Sequence, residues 1–156
     1  MVLISYGCKM SMSFTGADID ENIKTTTIEI FENQAALTNP NFPRIMTEAM
    51  RDKFIRQTKL KLVNEGGDVN FKGAITGYST MAVAVATETA SLTRLTITVS
   101  VDYTNKLDLT KNFTQSFTRF ADFDATQNLS QVEDALMTEI SNQLVQDIFN
   151  RAFLNW

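Results

Sequence analysis

Alternating apolar and polar residues predict several β-strands. The clearest run is residues 92–104, "LTRLTITVSVDYT". Similar alternation covers residues 23–31, 69–79 and 112–123, and residues 59–63 form a shorter candidate closed by the turn "NEGGD". In the clearest run one face carries Leu95, Ile97, Val99, Val101 and Tyr103, and the other carries Arg94, Thr96, Thr98, Ser100 and Asp102. β-Branched residues at this period are typical of a sheet with one buried and one wet face.

Helical periodicity appears in two places. In residues 43–58 the apolar side chains recur at helical spacing, and Pro43 suits the first turn of a helix. Residues 129–156 carry a wide apolar stripe that must be buried against something. This second segment begins with Ser130 and Glu133, which are spaced as in a capping box. The stripe comprises Leu136, Met137, Ile140, Leu144, Val145, Ile148, Phe149 and Ala152.

The order of these elements predicts an α+β fold. A strand, a helix, further strands and a final helix suggest a mostly antiparallel sheet with two helices packed on one face. The first long strand, residues 23–31, places Thr26, Ile28 and Ile30 on the same side. No repeat or flexible linker interrupts the sequence, so residues 9–156 are predicted to form a single domain.

The amino-acid composition excludes several kinds of catalytic, metal-binding and nucleic-acid-binding site. The chain has no histidine and one cysteine, which removes His-based triads, His-containing zinc sites and intrachain disulfides. The formal charge is −4, with no basic run of the kind that nucleic-acid binding needs. We therefore predict a protein that is not an enzyme, has no catalytic or metal-binding residues and needs no cofactor, and we expect no nucleic-acid partner.

The single cysteine, Cys8, lies near the start of the sequence after "LISYG". A lone cysteine is often a small buried hydrophobe, but a short apolar stretch ending in Gly–Cys also resembles the site at which bacterial lipoproteins are acylated. Two or three acyl chains would anchor a protein stably in a membrane. Residues 1–8 are accordingly predicted to be the remnant of a lipoprotein signal, and Cys8 to be the lipid attachment site.

Asp122 and Asp124 stand two residues apart and could coordinate a cation. No following glycine and no distant bidentate glutamate complete a calcium loop. The pattern therefore favours a turn at the end of a strand.

Several segments in order resemble the LptE family of lipopolysaccharide-assembly lipoproteins, in its Bacteroidetes branch. They are "SFTGADID", "IEIFENQAALTNP", "IMTEAMRDKFIRQTKLKLV", "GDVNFKGAITGYS", "LTRLTITVSVDYTN", "NFTQSFTRFADF" and "VEDALMTEISNQLVQDIFNRAFLNW". The resemblance runs from about Cys8 to Trp156.

This resemblance implies a lipid-anchored protein on the periplasmic face of the outer membrane. It implies an LptD-type β-barrel as partner, which the protein plugs and helps to assemble, and lipopolysaccharide as a ligand. Basic residues at strand ends contact lipid in the family, so Lys72 and Arg94 are candidate contacts.

Two other functions remain open at the level of sequence. A free-standing periplasmic lipid-binding carrier would need an apolar cavity between helices and sheet, and a solid phenylalanine core would count against it. A carboxylate-based enzyme would need Asp or Glu pairs converging in a pocket.

Overall fold

The computed structural model describes residues 19–83 and 91–154. Its strands are β1 (Thr25–Ile28), β2 (Glu32–Asn33), β3 (Lys61–Leu62), β4 (Val69–Val83), β5 (Leu92–Asn105) and β6 (Phe113–Asp124). Its helices are α1 (Phe42–Gln57) and α2 (Leu129–Phe153), with one turn of 3₁₀ helix at Leu109–Lys111. Cys8 lies outside the described residues, and so does the segment predicted to be a signal remnant.

The six strands form one sheet in the order β3-β1-β4-β5-β6, with β2 paired to β4 beyond the end of β1. The prediction of an α+β fold with two helices is confirmed, but the prediction of a mostly antiparallel sheet is wrong. β1 runs parallel to both β3 and β4, and β2 runs parallel to β4. Only the long β4-β5-β6 meander is antiparallel, so the sheet is mixed.

The parallel half of the sheet follows from the connection through α1. A helix between two strands carries the chain back to the end of the sheet where it started, so the second strand runs in the same direction. β1, α1 and β3 form such a unit, with Thr25 opposite Lys61. The loop from Asn64 to Gly67 then passes over β1, close enough for the Gly67 N–H to donate to Thr27 Oγ1 at 3.1 Å. A Cβ on Gly67 would lie 2.7 Å from the Thr27 nitrogen, so this crossing needs glycine.

The alternation predicted for residues 23–31 fails after β1. Ile30 is 67% exposed, whereas Phe31 is buried and occupies the core position instead. The ring of Phe31 lies where a side chain at position 73 of β4 would stand, and a Cβ on Gly73 would approach it to 2.2 Å. β1 therefore ends at Ile28, and Phe31 rather than Ile30 packs over Gly73.

Both predicted helices are present, and the buried face of α2 is the predicted apolar stripe, in which Ala152 is half-buried. The predicted capping box is wrong, because Asn128 is the N-cap residue of α2 and Ser130 already lies inside the helix. Glu133 instead accepts hydrogen bonds from Asn39 Nδ2 at 2.8 Å and from the hydroxyl of Tyr78. No helix within the described residues is long and apolar enough to cross a membrane.

The core between the helices and the sheet is built of aromatic rings. Phe54 of α1 packs against Phe71 of β4 at 4.9 Å and against Phe149 and Phe153 of α2 at 5.5 and 5.6 Å between ring centroids. The edge-to-face angles are those that aromatic pairs prefer. One phenylalanine thus joins both helices to the sheet.

Candidate functional site: the open face of the sheet

The helices cover one face of the β4-β5-β6 meander, and no other described segment covers the opposite face. We call the uncovered side the open face. Strand register brings its side chains into rows across the three strands. The rows, from one end to the other, are Lys72–Asp102–Thr114, Ala74–Ser100–Ser116, Gly77–Thr98–Thr118, Ser79–Thr96–Phe120 and Met81–Arg94–Asp122. The predicted wet face of β5 is therefore confirmed as part of a larger polar surface.

Hydroxyl groups dominate the middle of the open face. Thr98 Oγ1 and Thr118 Oγ1 share a hydrogen bond of 2.9 Å across β5 and β6. The hydroxyl of Thr114 donates to Asp102 Oδ1 in the end row that also contains Lys72. These groups offer hydrogen-bond donors and acceptors to a polar partner.

Arg94 lies at the far end of the open face in a fixed environment. Its Nε and Nη2 donate to the two carboxylate oxygens of Asp122 at 2.7 and 2.8 Å. The guanidinium carbon stands 3.7 Å from the centroid of the Phe120 ring. The hydrogen bond from Arg94 lowers the pKa of the Asp122 carboxyl. Asp122 is thus an ion-pair partner, and Asp124 accepts from the backbone N–H of Thr126 at 2.8 Å in the turn that follows β6, as the sequence predicted.

Lys72 lies on the same face but at the other end. It is exposed, stands opposite Asp102 in register, and lines a shallow depression of about 290 Å³ with Glu32 and Gln34. Asp102 and Arg94 are eight residues apart on β5, which corresponds to about 27 Å along a strand. The structure therefore places both predicted lipid contacts on the open face but does not bring them together.

A second depression, of about 460 Å³, lies beside the loop from Asn64 to Gly67 at the Lys72 end of the open face. Its walls include Glu29, Asn70 and Lys106, and Lys106 Nζ donates to the Gly66 carbonyl at 2.9 Å. Both depressions open on the side of the sheet away from the helices. Neither lies in the aromatic core.

The contact of Glu133 with Tyr78 and Asn39 was missed by sequence reasoning. Burial, followed by the hydrogen bond to Glu133, raises the pKa of the Tyr78 hydroxyl. The three residues join α2, β4 and the loop before α1, which suits a structural role. No local sequence pattern indicates this contact, because it depends on the register that places Tyr78 opposite Ile97 on the helix-facing side.

Within residues 19–83 and 91–154 no three Cys, Asp or Glu side chains converge in a way that could hold a metal ion. The candidate functional feature of this part of the chain is the open face.

Comparison with known proteins identifies the family. The model of the LptE family, described as lipopolysaccharide-assembly, matches residues 23–152. The chain belongs to the LptE family. Its family membership makes it a lipopolysaccharide-assembly lipoprotein, and no curated protein matches it in sequence.

Solved structures share the fold of this LptE protein at low sequence identity. A hypothetical protein from Chlamydia trachomatis aligns with a TM-score of 0.58 and 10% identity, over 85% of this chain and 99% of that one. A minor lipoprotein from Acinetobacter baumannii aligns with a TM-score of 0.53 and 12% identity, over 83% and 91%. A protein from Xanthomonas campestris aligns with a TM-score of 0.55 and 9% identity, over 86% and 91%. At these identities the likeness concerns the fold.

Proposed function

We propose that this LptE protein is a non-enzymatic, lipid-anchored outer-membrane protein that plugs an LptD-type β-barrel and assists its assembly. The open face of the sheet lies against the polar wall of the barrel lumen. The anchor is on the periplasmic side of the outer membrane, attached at Cys8, and the barrel delivers lipopolysaccharide to the outer leaflet.

The observation that carries this proposal is the open face itself. Among the described residues, a long three-stranded surface of Thr, Ser and charged side chains is left uncovered, whereas the opposite face of the same strands carries most of the buried residues of the sheet. Lumens of membrane barrels are polar, so hydroxyl and charged groups would find partners there. β5, at the centre of this surface, is hydrogen-bonded along its length to β4 on one side and to β6 on the other.

The aromatic core argues against the alternative of a lipid carrier. Such a carrier needs room for acyl chains between helices and sheet. Here Phe54 fills that space together with the rings of α2 and β4. A lipid could enter only if these rings separated.

Photocrosslinking in cells tests the plug. A photoreactive amino acid replaces Thr98 at the centre of the open face, and the matched control replaces Asn142, which is exposed on α2. We expect a strong adduct with a large β-barrel from position 98 and a weaker one from position 142. Equal adducts would reject the open face as the principal contact, and no barrel adduct from either position would overturn the plug.

Acylation of Cys8 is tested separately, by intact-mass analysis of the protein purified from membranes. The expected product carries a diacylglyceryl group on Cys8, and a Cys8→Ser variant should lack it. An unmodified cysteine would remove the anchor from the proposal.

We also propose that Lys72 and Arg94 contact phosphate groups of lipopolysaccharide. Arg94 would have to exchange Asp122 for a phosphate, because its bidentate donors are already engaged. Asp122→Asn should therefore tighten binding of lipopolysaccharide to the purified protein, whereas Arg94→Ala and Lys72→Ala should weaken it. Binding measured by surface plasmon resonance that is unchanged in all three variants would contradict this.

A further inference from the structure

The loop between β5 and β6 exposes two leucines at one end of the domain. Leu107 is 52% exposed and Leu109 is 69% exposed, and Lys106 and Lys111 flank them. The 3₁₀ turn lies within this segment, residues 106–112, which we call the leucine loop. Transfer of its two exposed leucine side chains into an apolar environment would be favourable.

Internal hydrogen bonds hold the leucine loop in shape. The buried Asn105 accepts from the backbone N–H groups of Leu107 and Asp108 at 2.9 and 3.0 Å through Oδ1. Asn112 Oδ1 accepts from the Asn105 N–H at 2.7 Å and closes the loop. The leucines are thus presented on an ordered support that has little conformational entropy left to lose on contact.

The chain enters the domain at this same end. The carboxylate of Asp68 accepts from the backbone N–H of Lys24 at 2.9 Å, and the carbonyl of Asp68 accepts from the N–H of Lys106 at 2.9 Å. One residue thus joins the start of β1 to the start of the leucine loop. The ten residues between Cys8 and Ile19 can span at most about 35 Å, so an anchor at Cys8 would keep this end near the bilayer.

The charges at the two ends of the domain agree with an orientation in which the leucine loop is near the bilayer. At the end with the leucine loop, basic and acidic side chains are nearly balanced: Lys24, Arg56, Lys59, Lys61, Lys106, Lys111 and Arg151 stand with Asp20, Glu21, Asp52, Glu65, Asp68 and Asp108. At the opposite end, the acidic side chains of Asp122, Asp124, Glu133 and Asp134 outnumber Arg94 and Arg44. An anionic phospholipid surface would repel the acidic end more than the balanced one.

We propose that the leucine loop is a membrane-contact element that inserts Leu107 and Leu109 into the headgroup region of the bilayer when the domain is tethered through Cys8. The flanking Lys106 and Lys111 would exchange the Gly66 carbonyl and the Asp108 carboxylate for lipid phosphates, while their stems follow the leucines. Two leucines alone would bind a bilayer weakly, but the tether makes the contact intramolecular and raises the effective concentration of lipid. This rests on the proposed anchor at Cys8 and goes beyond the plug, because it concerns the anchored protein before a barrel encloses it.

Fluorescence depth measurement on vesicles tests the proposal. Because Cys8 is the only cysteine, the full chain can be coupled through it to a maleimide lipid in phosphatidylethanolamine–phosphatidylglycerol vesicles. In a Trp156→Phe background, Leu109→Trp reports on the leucine loop. Leu37→Trp is the matched control, since Leu37 is also an exposed loop leucine but precedes α1, whose Phe42 packs on Tyr78 in the other half of the sheet.

Coupling to vesicles should shift the emission of the Leu109→Trp protein to shorter wavelength, and brominated lipids should quench it. The Leu37→Trp protein should show neither change. An unshifted Leu109→Trp protein, or equal quenching at both positions, would overturn the proposal. The coupling replaces natural acylation and no barrel is present, so this result is independent of the tests of the plug and of the anchor.

Discussion

Asp68 shows how a single residue organises one end of this domain. Its Oδ2 accepts from the backbone N–H groups of Lys24 and Thr25 and from the Thr25 hydroxyl, all between 2.8 and 2.9 Å. The hydrogen bond from the Lys24 N–H, followed by those from Thr25, lowers the pKa of the Asp68 carboxyl below its ordinary value of 3.8. The ionised carboxylate therefore holds the start of β1 against β4.

This lowered pKa predicts a pH-dependent contribution to stability. A carboxyl whose pKa is lower in the folded state stabilises the fold above its unfolded pKa, and the contribution is lost as pH falls through the folded pKa. Asp68→Asn should therefore be less stable than the unmodified protein at neutral pH, and the gap should narrow below about pH 4. Urea unfolding followed by circular dichroism at several pH values measures the gap. A gap that stays constant across this range would show that ionisation of Asp68 is not the cause.

At the scale of elements, the two faces of β5 predict opposite effects from one substitution. Val99 is completely buried between the sheet and the helices, whereas the neighbouring Thr98 points to the open face. Val99→Asp should prevent folding, because an unpaired charge in an apolar core is strongly destabilising. Thr98→Asp should cost only about 1 kcal/mol of unfolding free energy, because it loses the hydrogen bond shared with Thr118 but places no charge in the core. Thermal unfolding checks both, and similar stabilities would contradict the assignment of the faces.

Elements whose patterns are local could be predicted from the sequence. β5 and α2 have long, regular periodicities, and the alternation of β5 also places Arg94 on the wet face. The direction of β1 depends on the crossover through α1, and the exposure of Ile30 depends on Phe31 packing over Gly73. The pairing of Arg94 with Asp122 depends on the register between β5 and β6, and no local pattern contains that information.

At the scale of the whole molecule, the two faces of the sheet differ: one packs against the helices in the core, and the other is the open face. The rings between helices and sheet fix the scaffold, and the uncovered side of the same strands is the surface that we propose lies against the barrel. This division predicts that the domain unfolds as a unit, because Phe54 joins α1, α2 and β4 in a single contact cluster. If the helices could separate from the sheet without unfolding, core packing and secondary structure would be lost in separate transitions.

The Phe54→Ala substitution tests whether the domain unfolds as one cooperative unit. Removing the ring should cost about 3–5 kcal/mol of unfolding free energy, because the cavity would lie where three elements meet. Ile55→Ala is the matched control on the same helix: Ile55 is 62% exposed, so its truncation should change stability by less than about 0.5 kcal/mol. Urea unfolding is followed by far-ultraviolet circular dichroism for the backbone and by near-ultraviolet circular dichroism for the aromatic core. In the unmodified protein we expect the far-ultraviolet and near-ultraviolet transitions to coincide. Separate transitions would mean that the packing between helices and sheet is lost while the secondary structure remains. That outcome would return the lipid carrier to consideration.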